Sequence, residues 1–293
     1  MESSYKINEI RIYYEVIEQG TNFIKPIIES SLKKADIDID IKLIKLIGST
    51  SYYSKRLAPI IFWKNPDILI SAVINSVEYP LLVIEFSNAV FTEDHELQRF
   101  DGLIATAKNE CIYTKISPLH KESPSKHGGN VHFNYVEPFS LIYRKFGKLF
   151  YHFDWPCNKQ GIVDVDKKYL SVPKKINEFD LLIEAIITSI KNIGVRDNAW
   201  IANVEKLLEN NPFFKKWKKQ VSTSEITDVS LLKTSRTEWL TKQKELILKL
   251  NRFGHSMDPE RGMLSYYGTL YNKVISKMIF DDINLAWCKS IPK

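Results

Sequence analysis

The stretch PDILISAVINSVEYPLLVIEFS, residues 66–87, decides the fold. Residues 67–74 are mostly apolar and rich in β-branched side chains, which predicts a strand, and a turn is expected at 75–76. The almost uninterrupted apolar run at 81–87 predicts a second strand, covered on both faces in the middle of a sheet. The stretch therefore indicates a hairpin at the centre of an α/β domain.

Two carboxylates interrupt this apolar stretch: Asp67 directly precedes one strand, and Glu85 lies inside the other. A carboxylate at a buried strand position costs several kcal/mol unless a partner neutralises it. The hairpin would bring both acids to one end of the sheet, where they would repel each other unless a divalent cation lay between them. Oxygen ligands at an open site suit Mg²⁺ or Mn²⁺.

Hydrophobic periodicity predicts the remaining elements. Before residue 175 it indicates helices at 10–20, 22–34 and 92–104, strands at 37–43, 111–116, 131–136 and 149–153, and a polar loop at 117–130. From about residue 177 it indicates helices around 179–190, 200–207, 239–253 and 266–280. We therefore expect an α/β domain over 1–175, followed by a mainly helical region over 176–293.

Composition restricts the class of protein. No apolar run approaches the roughly 18 residues of a transmembrane helix, and no signal peptide is visible, so we expect no membrane association. The three cysteines, Cys111, Cys157 and Cys288, are far apart and show neither disulfide nor zinc spacing, which favours a reducing, cytoplasmic setting.

The positive charge is concentrated near the end of the chain. Residues 201–293 carry 16 Lys and Arg against ten Asp and Glu, which equals the whole formal charge of +6. Such an uneven distribution suggests a polyanionic partner, although ordinary surface lysines would give the same count.

The pattern Pro66-Asp67 followed by Glu85-Phe86-Ser87 resembles the PD-(D/E)XK signature of type II restriction endonucleases. The segments 86–99 and 255–262 are also similar to restriction-endonuclease sequences. The resemblance implies a central mixed sheet flanked by helices, and Mg²⁺-dependent hydrolysis of phosphodiester bonds in double-stranded DNA. It implies that Asp67 and Glu85 hold the metal, with the Phe86 carbonyl completing the site.

One position departs from the signature. The family's usual lysine, which helps to position or activate the attacking water, corresponds to Ser87. Lys64, three residues before Asp67, and Lys108, at the end of the following helix, are candidates for the missing positive charge. Gln98 is a candidate for a supporting active-site role.

Two further segments could contact DNA. Phe213 to Lys219 interleaves aromatic residues with four lysines, Lys215, Lys216, Lys218 and Lys219. It is either a phosphate-contacting helix or an amphipathic surface helix with Phe214 and Trp217 in the core. Arg261 could bind a phosphate or a guanine edge, although Asp258-Pro259 before it also suits the start of a helix.

These patterns favour a type II restriction enzyme, which the resemblance implies would act as a homodimer because cutting two strands needs two active sites. Two alternatives stay open. One is a structure-specific DNA repair or recombination nuclease with the same core. The other is a catalytically inactive DNA-binding protein in which Ser87 marks the loss of activity.

Overall fold

The computed structural model describes residues 6–63, 65–87, 100–118, 136–158, 162–195 and 199–224, and three strands in the last third of the chain. The described helices are α1 (Lys25–Lys34), α2 (Ala58–Trp63), α3 (Phe100–Lys108), α4 (Val136–Phe146), α5 (Phe179–Ile193), α6 (Ala199–Leu208) and α7 (Pro212–Thr223). A π-helical turn, Gln19–Ile24, leads into α1, and a 3₁₀ turn spans Thr50–Tyr52.

A mixed six-stranded sheet forms the centre of the fold. Its strands are β1 (Ile7–Tyr14), β2 (Asp40–Lys45), β3 (Ile68–Ile74), β4 (Val77–Phe86), β5 (Ile112–Ser117) and β6 (Tyr151–Asp154). Their order is β2-β1-β3-β4-β5-β6, and only the β1–β3 and β3–β4 pairs are antiparallel. The α/β class and the central hairpin β3–β4 are thus confirmed.

The turn of this hairpin follows from its two residues. Asn75 and Ser76 have φ angles of 50° and 64°, in the left-handed region. Two consecutive residues of this kind are typical of the tight hairpin turns whose twist matches that of the flanking strands. The turn fixes which residues of β3 and β4 lie opposite each other.

One face of the sheet is apolar. Ile12, Ile70 and Ile84 lie on it and are almost completely buried. The Phe86 ring contacts that of Phe23 in the π-helical turn, with centroids 6.0 Å apart. This face carries much of the hydrophobic core.

The opposite face is covered near β5 and β6 by α4 and α7. The Phe139 ring of α4 stacks on His152 at 6.1 Å and meets Trp217 of α7 at 5.3 Å. Trp217 donates its indole N–H to the Phe150 carbonyl at 2.7 Å, and Phe214 packs against Tyr151. Helix α7 therefore packs along the edge strand β6.

The prediction for the start of the chain is wrong: residues 7–14 form strand β1, not a helix. The helical pattern needs Ile17 in the core, but Ile17 is 49% exposed. The alternation of buried Ile10 and Ile12 with the partly exposed Arg11 is typical of a strand. Pairing with both β2 and β3 stabilises it.

Most of the other predicted elements are present with shifted ends. The predictions match helix α1, strands β2, β5 and β6, and helices α5 and α6. Of the predicted helix at 92–104, only the part from Phe100 is described. Residues 131–135 of the predicted strand at 131–136 lie outside the described residues, and Val136 begins helix α4. The predicted loop is described only at 117–118.

In the last third, the structure has strands where helices were predicted. Strands β7 (Glu245–Lys249), β8 (Ile275–Phe280) and β9 (Asn284–Lys289) form an antiparallel sheet in the order β7-β9-β8. The predicted helices at 239–253 and 266–280 are therefore wrong at 245–249 and 275–280. Short apolar runs of this length do not distinguish a strand from a helix by periodicity alone.

Helices α5, α6 and α7, beyond the predicted domain boundary at 175, contribute buried side chains to the same core as the sheet. The ring of Phe179 in α5 lies 5.4 Å from that of Phe153 in β6. Across the part of the chain that the structure describes, no helix is both long and apolar enough to cross a bilayer.

Candidate active site

The register of the central hairpin places Asp67 opposite Glu85. Ile68 pairs with Ile84 in the antiparallel ladder, so the next position along brings residue 67 beside residue 85. The Phe86 N–H donates to Asp67 Oδ2 at 2.6 Å. The structure therefore brings the two acids together at the end of the two central strands.

The two carboxylates differ in burial. Glu85 is only 2% exposed, whereas Asp67 is partly exposed and directly precedes β3. A buried carboxylate is stable only with compensating positive charge or hydrogen bonds. The pair thus combines a desolvated acid with one that solvent reaches, which suits a cation site open on one side.

A lysine lies beside Glu85 on the neighbouring strand. Glu85 pairs with Lys115 in the parallel β4–β5 ladder, and the Lys115 side chain is completely buried. Burial lowers the pKa of Lys115 to about 7, and the carboxylate of Glu85 opposes this shift. Lys115 is not among the residues predicted to form the site, although a charged residue inside an apolar strand is the same signal that identified the two acids.

His152 continues this row on strand β6. It pairs with Lys115, and its Nε2 lies 2.7 Å from the Ser117 hydroxyl. Burial and the neighbouring Lys115 hold the pKa of His152 well below its ordinary value of 6.5. Asp67, Glu85, Lys115 and His152 therefore form a row of polar side chains, the polar row, across β3, β4, β5 and β6.

The neutral, buried state of His152 predicts a specific loss of stability in acid. Below pH 6.5 the unfolded chain protonates this residue while the folded protein does not, so the free energy of unfolding falls as the pH decreases. Between pH 6.5 and 5 we expect the wild type to lose up to about 1.4 kcal/mol per pH unit more than His152→Gln. Urea titrations of both proteins at pH 7, 6 and 5 measure the difference, and parallel pH profiles would contradict a neutral His152.

Ser87 and the Phe86 carbonyl lie close to the acids. Ser87 is buried, and its N–H donates to the Ile116 carbonyl at 2.9 Å. Because Ser87 follows Glu85 by two positions in the strand direction, both side chains lie on the same face of the sheet. In an antiparallel ladder, the N–H and C=O of one residue face the same neighbouring strand. Since the Phe86 N–H reaches Asp67, the Phe86 carbonyl faces the side of β4 on which Asp67 lies.

Lys108 is not brought to this site. It lies at the end of α3 and lines a cleft with Tyr79 and Pro80, near the start of β4. Glu85 is six residues farther along the strand, which corresponds to roughly 20 Å. The other predicted site residues, Lys64, Gln98 and Arg261, lie outside the described residues.

The lysine-rich segment is helix α7. Phe214 and Trp217 are buried, as the amphipathic alternative required, while the lysines at 215, 216, 218 and 219 are exposed. Asn211 caps the helix by accepting from the Phe213 N–H at 2.9 Å. Lys218 lies 3.5 Å from Glu205 of α6, so this surface carries some negative charge as well.

The donor set at the pair fits a hard divalent cation. Mg²⁺ is commonly bound through one or two carboxylates, with water and substrate oxygens filling the other positions. Asp67 and Glu85 provide two such groups, and the Phe86 carbonyl a third oxygen. Within the described ranges, no three His, Cys, Asp or Glu side chains gather into a metal-binding group.

Comparison of the chain with protein-family profiles, with curated proteins and with solved structures finds no match.

Proposed function

We propose that this protein is a Mg²⁺-dependent endonuclease of the PD-(D/E)XK type that hydrolyses phosphodiester bonds in double-stranded DNA, as a restriction enzyme does. The observation that carries the proposal is the register of β3 and β4, which places Asp67 opposite a buried Glu85 at the end of the central hairpin. The pattern of residues 66–87 and this geometry support the same site.

In this proposal, Asp67, Glu85 and the Phe86 carbonyl hold Mg²⁺ or Mn²⁺. The bound cation supplies Lewis-acid chemistry: it withdraws charge from the phosphate and makes water easier to deprotonate. The Phe86 N–H fixes the orientation of the Asp67 carboxylate before a ligand arrives. Asp67 directly precedes the central strand β3 and Glu85 lies within the central strand β4, so the sheet positions the backbone of both acids, which limits the entropy lost on binding.

The exposed lysines of α7 are proposed to contact the DNA backbone. Replacing Lys215, Lys216, Lys218 and Lys219 with Gln is expected to weaken DNA binding and to reduce the dependence of log K on log[salt] by up to about 0.9 for each lost phosphate contact. The fold should persist, because Phe214 and Trp217 anchor the helix. Binding is measured by fluorescence anisotropy in Ca²⁺ at several salt concentrations.

A matched control uses four exposed lysines elsewhere, Lys167, Lys168, Lys174 and Lys175, replaced with Gln. This variant removes the same net charge from a different surface. If both quadruple variants bind DNA equally weakly, overall charge and not α7 governs binding.

The decisive experiment incubates the purified chain with supercoiled plasmid and phage DNA in Mg²⁺, Ca²⁺ or EDTA. We expect discrete fragments in Mg²⁺ and none in EDTA. Salt-sensitive binding without any cleavage would instead indicate an inactive DNA-binding protein, and cleavage only of branched or damaged DNA would indicate a repair nuclease. Sedimentation velocity tests the proposed homodimer in the same samples.

A further inference from the structure

We infer that Lys115 provides the positive charge of the active site, in the place where the signature has a lysine and this chain has Ser87. The inference rests on the proposed nuclease function. It concerns a residue that neither the sequence pattern nor the spacing of the signature indicates, because Lys115 follows Glu85 by 30 positions.

The strand register supports this role. Glu85 pairs with Lys115 and Phe86 with Ile116, so Ser87 falls beside Ser117 one step farther along. Residues 85, 87, 115 and 117 therefore share one face of the sheet, and neighbouring strands are about 4.8 Å apart. A long side chain from either position 87 or position 115 can reach the space beside the Glu85 carboxylate.

Burial argues for a purpose beyond stability. Lys115 is completely buried in the middle of the domain, where an apolar residue of similar length would avoid the cost of desolvating an ammonium group. Its pairing partners are Glu85 on one side and His152 on the other. A buried ammonium group beside two carboxylates is typical of a functional site that binds a charged substrate.

Charge balance then indicates the substrate class. The two carboxylates and the ammonium group together leave one net negative charge. A divalent cation converts this to one net positive charge, which matches the single negative charge of a phosphodiester better than the nearly double charge of a phosphomonoester. Without Lys115, the positive charge of the loaded pair would be lower by one unit.

The other described lysines near this region are placed differently. Lys148 donates to the Ala107 carbonyl at 2.7 Å, at the end of α3, and Lys108 lies near the start of β4. Both lysines lie near one end of the sheet, whereas Glu85 lies near the other end. The register therefore favours Lys115 over either of them.

The experiment moves the charge from one strand to the other. It compares cleavage in Mg²⁺ by the wild type, Lys115→Met, Ser87→Lys/Lys115→Met and Ser87→Met/Lys115→Met. We expect Lys115→Met to cleave about 10²-fold more slowly, as on removal of one electrostatic contact to a reacting group. The cleavage rate of Ser87→Lys/Lys115→Met should be at least about tenfold higher than that of Lys115→Met. The matched Ser87→Met/Lys115→Met should show no such increase, because it adds similar bulk at position 87 without a charge.

A second readout does not depend on cleavage. Calorimetric titration with Mn²⁺ at pH 6, without DNA, should show that Lys115→Met binds the ion at least as tightly as the wild type, because a nearby positive charge has been removed. A purely structural Lys115 would instead lose Mn²⁺ affinity and cleavage together, which would overturn the inference.

The outcomes separate the two proposals. If the wild type does not cleave DNA, the proposed function fails and the inference fails with it. If the wild type cleaves and Lys115→Met cleaves at the same rate, only the inference fails. Should Lys115→Met not fold, Lys115→Gln takes its place, because Gln keeps a polar side chain at this position without the charge. Cleavage by Lys115→Gln at the wild-type rate would overturn the inference.

Discussion

Replacement of Asp67 with Asn is expected to lower the rate of Mg²⁺-dependent cleavage by about 10³-fold or more, with little change in the temperature of unfolding. Asn retains an oxygen that can accept the Phe86 N–H, so the local geometry at the start of β3 should survive. It removes the negative charge that would hold the cation, and loss of Lewis-acid stabilisation is worth several kcal/mol in the transition state.

The matched control is Asp38→Asn, because Asp38 is an exposed acid just before β2. It should cleave at the wild-type rate. DNA affinity measured in Ca²⁺ at moderate salt should remain within a few fold for both variants, since the phosphate contacts are proposed on α7. Cleavage by Asp67→Asn at the parental rate would remove Asp67 from the site.

The hairpin and its two acids could be predicted from the sequence because the interactions are local. Residues 67 and 85 are joined by two strands and a tight turn at Asn75-Ser76, and a turn of known length fixes an antiparallel register. Carboxylates within apolar runs then stand out as costly, so both the position and the chemistry of the pair follow from neighbouring residues.

Lys115 and His152 could not be placed in the same way. Strands β4, β5 and β6 are parallel, and parallel strands are joined by crossover connections whose length does not determine the register. That Lys115 lies beside Glu85, and His152 beside Lys115, depends on how α3 and α4 pack on the sheet. The polar row therefore emerges only from the tertiary structure, although each of its members was visible as a polar residue in a strand.

Strand β1 illustrates the opposite difficulty. Its apolar residues fit both a helical and an alternating pattern over a short window. The choice is made by β2 and β3, which pair with its two edges. Tertiary pairing thus overrides the local preference at the start of the chain and in the strands of the last third.

The polar row also predicts a strong energetic coupling between Glu85 and Lys115. In EDTA, Glu85→Gln is expected to reduce the free energy of unfolding by about 3–5 kcal/mol, because the buried ammonium of Lys115 loses its carboxylate neighbour. Lys115→Met should also be destabilising, since it leaves the Glu85 carboxylate buried. The double variant Glu85→Gln/Lys115→Met should be far more stable than the sum of the two single effects, because neither charge is then buried without the other.

Urea unfolding of the wild type, the two single variants and the double variant measures this coupling independently of any nuclease activity. The control cycle uses Lys34 and Glu184, an exposed ion pair 2.6 Å apart, for which Lys34→Met and Glu184→Gln should couple only weakly. If the effects of Glu85→Gln and Lys115→Met add within about 0.5 kcal/mol, the two charges do not interact. A strong coupling in EDTA that weakens in Mn²⁺ is the expected pattern for a buried pair whose acid also binds a divalent cation, because the ion then replaces Lys115 as the main counter-charge of Glu85.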